Sequence, residues 1–222
     1  RTGQQHVLES YRRARPQQVR IVPFAAFGEV VNCVPRRPEF AVPEKYLFYP
    51  AQFWLHKNHT GLALAVAELA ASLPDLRIVA AGNTGQNGYE VFADLVRKRG
   101  LEQVFILPGY VPVEELAWLY AHARGFVMPT YFGPTNIPPL EAMSLGCPVA
   151  ISGIYGMREQ CGDAALYFNP DNPHDMAQAI VTLWTDDAQC ATLVEKGKIR
   201  SHMYSVDAFN KNILRLVEGF CA

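Results

Sequence analysis

The 222-residue chain lacks a charge bias and lacks paired cysteines. Lys and Arg number 20 against 21 Asp and Glu, for a formal net charge of -1, whereas nucleic-acid-binding proteins usually carry a basic excess. Its five cysteines are scattered and odd in number, without a CxxC pair. This is typical of reduced cytosolic thiols and not of a disulfide framework or a zinc site. We therefore expect no nucleic-acid partner, no bound metal and a cytoplasmic location.

Several familiar motifs are also missing. The longest apolar runs, such as residues 62–66, fall far short of the roughly 20 residues that a membrane-spanning helix needs. No signal peptide opens the chain, which starts at Arg1 without a methionine, and we interpret it as a fragment of a larger protein. Neither GxGxxG nor GxSxG occurs, which disfavours an NAD dehydrogenase and a serine hydrolase.

What the chain does contain, from residue 46 onward, is an alternation of short apolar runs and amphipathic helical segments. This pattern predicts an α/β fold, a Rossmann-like doubly wound parallel sheet with helices on both faces. Ligands of such sheets bind beyond the carboxyl ends of the strands, so the loops that follow the strands are the ones to inspect. The predicted strands are residues 46–49, 76–81, 103–107, 125–128, 148–152 and 166–168.

The start of the chain follows a different pattern. We predict a helix at residues 4–15, a short strand at 18–22 and a proline-rich connector at 23–43. Three polar-capped helices close the chain, the last of them with Ser205 as its cap. The predicted domains are residues 1–43, the end of an N-terminal domain with its connector; 44–204, the sheet domain; and 205–222, a C-terminal helix.

Polar residues and glycines follow the first two predicted strands. Lys57 and Asn58 stand just before a helix, where an ammonium and the N–H groups of the helix end can hold a phosphate. The alternative is a solvated lysine beside an asparagine that caps the helix. In the next loop Gly82, Gly85 and Gly88 permit close backbone approach to a ligand, or simply make a flexible loop.

The loop after the fourth predicted strand is the most informative. Gly133 and Pro134 indicate a tight turn, and the two prolines at 138–139 suit a helix start, where a missing N–H matters little. The positive end of that helix is expected to cradle a diphosphate. The free N–H groups assigned to this cradle are those of Thr135, Asn136 and Ile137.

Glu141 lies one turn inside the same predicted helix. A carboxylate there can accept hydrogen bonds from the vicinal hydroxyls of a ribose, as the acidic residue of dinucleotide-binding folds does. It can equally be a helix acid that complements the positive end of the helix dipole. The residues alone leave both interpretations open.

Taken together, these segments resemble the C-terminal, donor-binding domain of family 4 glycosyltransferases, which have the GT-B fold. Each matching segment is weak alone, but they occur in the family's order over about two thirds of the chain. The resemblance implies an enzyme that uses a nucleotide-diphosphate sugar. The segments are residues 57–58, 81–82, 107–111, 115–116, 120–121, 137–143, 146–149 and 162–165.

The resemblance also implies roles for individual residues. The lysine that matches Lys57 contacts the donor diphosphate, together with the N–H groups at 135–137, and the acid that matches Glu141 binds the ribose hydroxyls. The turn at 133–137 wraps the transferred sugar, with Gly133, Pro134 and Asn136 as the sugar-binding residues. The backbone around Gly109, Tyr110 and Val111 borders the nucleotide base.

Two departures from the family pattern stand out. The family often has a second glutamate eight positions before the ribose glutamate, and here Gly133 occupies that place. The basic residue that usually follows the first strand of the domain is replaced around Gln52. We expect Lys57 to be the main positive charge on the diphosphate. Either Asn136 or Thr135 takes over the sugar contact, or the donor sugar is recognised in a different way.

The implied activity is transfer of a sugar, with retention at the anomeric carbon, to a glycan or lipid-linked acceptor, as in bacterial surface polysaccharide synthesis. No bound metal or other cofactor is required. The acceptor site and part of the catalytic centre belong to the absent N-terminal domain, so we expect this chain to bind donor without turnover. Contact with the inner membrane face is expected only of the full-length protein. The alternatives are a GT-B sugar-nucleotide 2-epimerase and a non-catalytic nucleotide-sugar-binding module.

Overall fold

The computed structural model describes residues 2–23, 25, 28–133 and 136–221. Six parallel strands form one sheet in the order β3-β2-β1-β4-β5-β6, so the predicted Rossmann-like α/β fold is confirmed. The strand order reverses between β1 and β4, which lie side by side at the centre. The strands are β1 Leu47–Pro50, β2 Ile78–Ala81, β3 Phe105–Gly109, β4 Gly125–Met128, β5 Val149–Ser152 and β6 Ala165–Phe168.

The central strands are apolar on both faces because helices cover both faces of the sheet. Every residue of β2, β4 and β5 is buried, as a parallel sheet between two helical layers requires. Helix α3 packs against α4 and α8, and α6 packs against α5 and α9. The helices are α1 Thr2–Ser10, α2 Glu29–Asn32, α3 His59–Leu69, α4 Tyr89–Lys98, α5 Val113–His122, α6 Ile137–Ser144, α7 Met157–Cys161, α8 Pro173–Thr185, α9 Asp187–His202 and α10 Val206–Cys221.

Aromatic side chains fill the core between the sheet and these helices. Phe48 of β1 is fully buried and meets the ring of Tyr120 edge to face, with centroids 5.0 Å apart. Full burial of such a side chain stabilises the fold by about 1.5–3 kcal/mol. The hydroxyl of buried Tyr46 donates to the Leu119 carbonyl at 2.9 Å, so this polar atom does not enter the core unpaired.

The elements at the start of the chain differ from those predicted. The strand at residues 18–22 is wrong: a 3-10 turn spans Pro16–Gln18, and the Val19 carbonyl accepts a hydrogen bond from the side chain of Gln4 instead of a strand partner. Helix α1 ends at Ser10 and not near residue 15. Helices α2 and α7, of four and five residues, are absent from the prediction because they are too short to show a helical period.

Two loops meet where the strand order reverses. The backbone N–H of Tyr131, after β4, donates to the His56 carbonyl, after β1, at 2.8 Å. The Thr130 hydroxyl donates to the same carbonyl at 3.0 Å. The carboxyl ends of β1 and β4 therefore lie side by side at the reversal of strand order, the place where doubly wound sheets bind ligands in a crevice. In the described part of the chain, no helix has the length and apolarity needed to cross a bilayer.

Candidate functional site

The loop after β1 is fixed by hydrogen bonds to its own backbone. A 3-10 turn spans Leu55–Lys57, and the buried Tyr49 hydroxyl donates to the Lys57 carbonyl at 2.7 Å. Asn58 takes a left-handed conformation, its side chain accepts from the Gly61 N–H at 3.0 Å, and its amide donates to the Pro170 carbonyl at 3.0 Å. Asn58 is thus a buried helix cap, and the lysine before it is the residue left for a ligand.

Lys57 is the local cation of this loop. Its side chain is partly buried, which lowers the pKa of the ammonium, and no ion pair within the described residues involves it. Burial and the charge of Lys57 also lower the pKa of both neighbouring histidines, that of His59 to about 3. At neutral pH the two imidazoles are therefore uncharged, and the ammonium acts alone on an anion.

His59 belongs to the core and not to a metal site. Its ring stacks on Phe53, with centroids 4.1 Å apart, and lies beside Tyr49 at 4.7 Å. Within residues 2–23, 25, 28–133 and 136–221, no group of His, Cys, Asp and Glu side chains has a metal-binding arrangement. The residues described offer no set of ligands such as zinc needs.

The glycines after β2 are explained by packing between loops. A Cβ at Gly82 would stand 2.1 Å from the Ala51 carbonyl oxygen, and one at Gly88 would stand 2.4 Å from that of Phe53. Gln52, which stands where the family often has a basic residue, accepts from the Asn83 N–H at 3.0 Å. The atoms packed closely against Gly82 and Gly88 therefore belong to the protein's own backbone and not to a ligand.

Gly133 is required by its neighbour Asn136. Its φ of +135° is unfavourable for residues with a side chain, and an added Cβ would stand 2.5 Å from the Asn136 amide nitrogen. That amide donates to the Gly133 carbonyl at 2.9 Å. The asparagine side chain therefore occupies the space that a side chain at 133 would need. Pro134 and Thr135 lie outside the described residues.

The start of α6 offers fewer N–H donors than the sequence predicts. The expectation of a free N–H at Asn136 is wrong: it donates to the side-chain oxygen of Gln160 at 3.0 Å, and the Gln160 amide donates back to the Asn136 carbonyl. Pro138 and Pro139 have no N–H to offer. Of the first three helical residues only Ile137 carries an N–H, and no acceptor within the described chain bonds to it.

Glu141 is a buried carboxylate with a specific partner. Only 8% of the residue is exposed, and its Oε2 accepts a hydrogen bond from the Tyr120 hydroxyl of α5 at 3.0 Å. Burial raises the pKa of the Glu141 carboxyl, an effect that the Tyr120 hydrogen bond partly opposes. Glu141 is the fifth residue of α6, beyond the first turn where a helix acid gains most from the dipole. Its position thus favours the ligand-binding interpretation over the dipole alternative.

The end of β3 divides the three residues predicted to border a base. Gly109 has a φ of +79°, and its carbonyl accepts from the Gly82 N–H at 2.8 Å. The side chain of Val111 is buried in the core, whereas 76% of Tyr110 is exposed. A ligand at this end of the sheet can therefore reach the backbone at 109–110 and the tyrosine ring, but not the valine side chain.

A groove at the opposite, amino-terminal edge of the sheet contains cations that already have partners within the protein. It has a volume of about 570 Å³ and includes Lys45, Arg124 and Asp187 in its lining. The Lys45 ammonium donates to the Trp184 carbonyl at 2.8 Å, and an Arg124 guanidinium nitrogen lies 2.6 Å from an Asp187 carboxylate oxygen. The Lys45 ammonium is held by a backbone carbonyl and the Arg124 guanidinium by a carboxylate, so the carboxyl edge remains the better candidate for an anionic ligand.

The fold places the chain in the class of doubly wound α/β proteins, with the loops after β1 and β4 in contact at the reversal of strand order. Within this class the chain belongs to the family "Glycosyl transferases group 1", whose model matches residues 35–200. It is 34% identical over 124 residues to the O-antigen chain mannosyltransferase B of Escherichia coli, covering 55% of this chain and 32% of that protein. It is 27% identical to a D-inositol 3-phosphate glycosyltransferase of Corynebacterium aurimucosum, covering 76% and 42%.

Solved structures share the fold at lower sequence identity. Sucrose-phosphate synthase from Thermosynechococcus elongatus superposes with a TM-score of 0.82 at 22% identity, over 98% of this chain and 56% of that one. The Anabaena protein HepE, solved with UDP and glucose, gives 0.81 at 17% identity, over 97% and 60%. The chain thus spans less than half of these two curated relatives and somewhat more than half of these two solved chains.

Proposed function

We propose that the chain is the C-terminal, donor-binding half of a retaining family 4 glycosyltransferase that transfers a sugar from a nucleotide-diphosphate sugar to a glycan or lipid-linked acceptor. The observation that carries this proposal is the presence of two complementary groups on the elements that follow the two central strands: Lys57, a cation with no ion-pair partner among the described residues, and Glu141, a buried carboxylate. A nucleoside diphosphate offers the complementary groups, an anionic diphosphate and a ribose diol.

The proposed roles follow from chemistry and position. The Lys57 ammonium binds the diphosphate, helped by the Ile137 N–H at the positive end of α6. Glu141 accepts from the ribose hydroxyls, and the backbone at 109–110 borders the base. Gly133 and Asn136 face the transferred sugar, with the asparagine amide in the space where many relatives have a glutamate.

In this proposal the leaving diphosphate is stabilised without a bound metal. A fixed ammonium and an oriented helix end act on the charge that develops as the glycosidic bond breaks, and both are in place before the reaction. The partial burial of Lys57 strengthens this interaction, because a less polar surrounding screens charge less. Retention at the anomeric carbon is proposed from the family resemblance.

The physiological role is proposed from the curated relatives. They include O-antigen and serotype-specific mannosyltransferases, so we propose a role in bacterial surface polysaccharide synthesis, with mannose as the first donor sugar to test. Residues 1–43 are proposed as the end of the N-terminal domain with its connector, 44–204 as the donor domain and 205–222 as a C-terminal helix. The acceptor site is assigned to the N-terminal half, and the protein to the cytoplasmic side of the membrane.

A thermal-shift panel of UDP-, GDP- and ADP-sugars tests the proposal on this chain directly. A nucleotide sugar present at a hundred times its dissociation constant adds about 2.7 kcal/mol to the free energy of unfolding. We expect one base to raise the melting temperature, and the same sugar nucleotide to yield no glycoside with this chain alone. Absence of a shift with every nucleotide, or epimerisation of the donor without an acceptor, would contradict the proposal.

A further inference from the structure

Glu141 depends on Tyr120, which lies in a segment that carries the family resemblance but which the resemblance assigns no ligand-binding role. Tyr120, on α5, is 1% exposed, and its hydroxyl is the donor bonded to Glu141 Oε2. Its ring is held edge to face against Phe48 and lies 5.9 Å from Phe126. Two strands of the sheet thus fix the ring, and the ring fixes the position of its hydroxyl.

The direction of this hydrogen bond is set by chemistry. An ionised carboxylate has no proton to donate, so the phenol must be the donor. Burial and the nearby Glu141 charge raise the pKa of Tyr120 well above its usual value, so the hydroxyl keeps its proton at any pH at which the protein functions. The phenol is a permanent donor to one oxygen of the carboxylate.

The second carboxylate oxygen is in a different situation. No donor within the described residues bonds to Glu141 Oε1, yet this atom is not among the sealed and unpaired polar atoms of the described chain. Among the described residues it is therefore the carboxylate oxygen left for a ligand. A carboxylate whose one oxygen is held from inside presents the other outward in a fixed orientation.

We propose that Tyr120 is a positioning residue for recognition of the donor: its hydroxyl fixes the Glu141 carboxylate so that Oε1 meets the ribose hydroxyls. This inference rests on the proposed function, because it assumes that Glu141 binds ribose. It adds that the preference of the site for ribose over deoxyribose is set in the core, by α5, and not by the crevice residues alone.

The test compares two buried tyrosines. Tyr120→Phe removes the hydroxyl that holds Glu141, whereas Tyr46→Phe removes an equally buried hydroxyl that bonds to the Leu119 carbonyl. Calorimetry is run with UDP, GDP or ADP, whichever binds the unaltered chain most tightly, and with its 2′-deoxy counterpart. A hydrogen bond to a charged group predicts a preference of about tenfold or more for the ribonucleotide in the unaltered chain.

We expect Tyr120→Phe to reduce this preference at least about threefold, through weaker ribonucleotide binding with 2′-deoxynucleotide binding unchanged. Tyr46→Phe should leave the preference as it is. A Tyr120→Phe variant that weakens both ligands equally, or that behaves as Tyr46→Phe does, overturns the inference, because a purely structural role cannot distinguish the two sugars.

Two further variants separate the possible failures. If Glu141→Ala keeps the full preference, the ribose assignment itself is wrong; if Glu141→Ala loses it and Tyr120→Phe does not, only the positioning role is wrong. Should Tyr120→Phe fail to fold, Glu141→Gln is compared with Glu141→Gln/Tyr120→Phe, which contain no buried unpaired charge. The phenol should still orient the amide, so an identical preference in these two variants also overturns the inference.

Discussion

The two halves of the proposed donor site are built in opposite ways. On the side of β1, Lys57 is a partly exposed cation with no ion-pair partner among the described residues, held through its backbone by Tyr49. On the side of β4, Glu141 is buried and held through its side chain by Tyr120. The first half offers charge with freedom of the side chain, and the second offers a carboxylate in a fixed orientation.

This difference assigns different tasks to the two halves. A flexible ammonium attracts a diphosphate of any nucleotide, and its contribution weakens as salt screens the charge. A fixed carboxylate distinguishes ligands by the presence and position of hydroxyl groups, as buried hydrogen-bonding sites do. We therefore expect Lys57 to set affinity, and Glu141 to set selectivity for ribose.

The largest effect is expected from Glu141→Ala. It removes the acceptor of both ribose hydroxyls, and hydrogen bonds to charged groups contribute about 1.5–3 kcal/mol each. We predict that ribonucleoside diphosphate affinity falls about a hundredfold in calorimetry, with little change for the 2′,3′-dideoxy analogue. Glu90→Ala, at an exposed position of α4, is the control. Equal losses for both ligands would contradict a selective role.

Lys57→Ala should have the next largest effect on binding. Loss of a charged hydrogen bond to the diphosphate weakens binding by about 1.5–3 kcal/mol, which is roughly tenfold to a hundredfold. Binding should also lose part of its salt dependence, and the ribose preference should persist. Lys98→Ala removes a lysine that pairs with Asp94 on α4 and serves as the control. An unchanged affinity of Lys57→Ala for nucleoside diphosphate would contradict the role of Lys57 in binding the diphosphate.

A smaller effect, on stability, is expected at the turn after β4. Gly133→Ala combines backbone strain of about 1–3 kcal/mol with a clash against the Asn136 amide. Gly100→Ala places a side chain at a φ of +64° where nothing lies within 4 Å, so it reports strain alone. We expect Gly133→Ala to lower the free energy of unfolding more, and Asn136→Ala to remove the excess. Equal effects at the two glycines would show that the asparagine does not limit this position.

The smallest effect is a pH dependence of ribonucleotide binding. Burial raises the folded-state pKa of Glu141, so its charged form destabilises the folded chain, and this penalty is relieved as pH falls through the raised pKa. The affinity for ribonucleotide changes in the opposite direction and falls as pH falls, because protonation removes the carboxylate acceptor. We predict that affinity falls towards acid pH in the unaltered chain and that this part of the profile is absent in Glu141→Gln. Identical profiles in the two proteins would contradict the assignment.

The sequence predicts the sheet well and the contacts within the site less well. Every strand from β1 onward lies within a few residues of its predicted place, because a strand buried on both faces is a short apolar run. The N-terminal part of the chain, before Pro23, is predicted poorly, since its short helix and turn show no periodic pattern of apolar residues. The three closing helices and the cap Ser205 are confirmed, and at Asn58 the structure has the helix cap that was the alternative to phosphate binding.

Within the candidate site, the sequence alone indicates Lys57 and Glu141. It does not indicate the residues that hydrogen-bond to Glu141 and to the start of its helix. Gln160 stands 24 positions from the Asn136 backbone that it clamps, and Tyr120 stands 21 positions from Glu141. No local pattern encodes such contacts, because they depend on how helices dock across the sheet. For the same reason the sequence predicts a free N–H at Asn136, where the structure has a hydrogen bond to α7.

The most direct test of the central claim is a crystal structure of this chain soaked with the nucleotide sugar that raises its melting temperature most. We predict the diphosphate beside the Lys57 ammonium at the start of α6, with a ribose hydroxyl about 2.6–3.2 Å from Glu141 Oε1. A nucleotide bound elsewhere, or an empty crevice between the loops after β1 and β4, would contradict the claim.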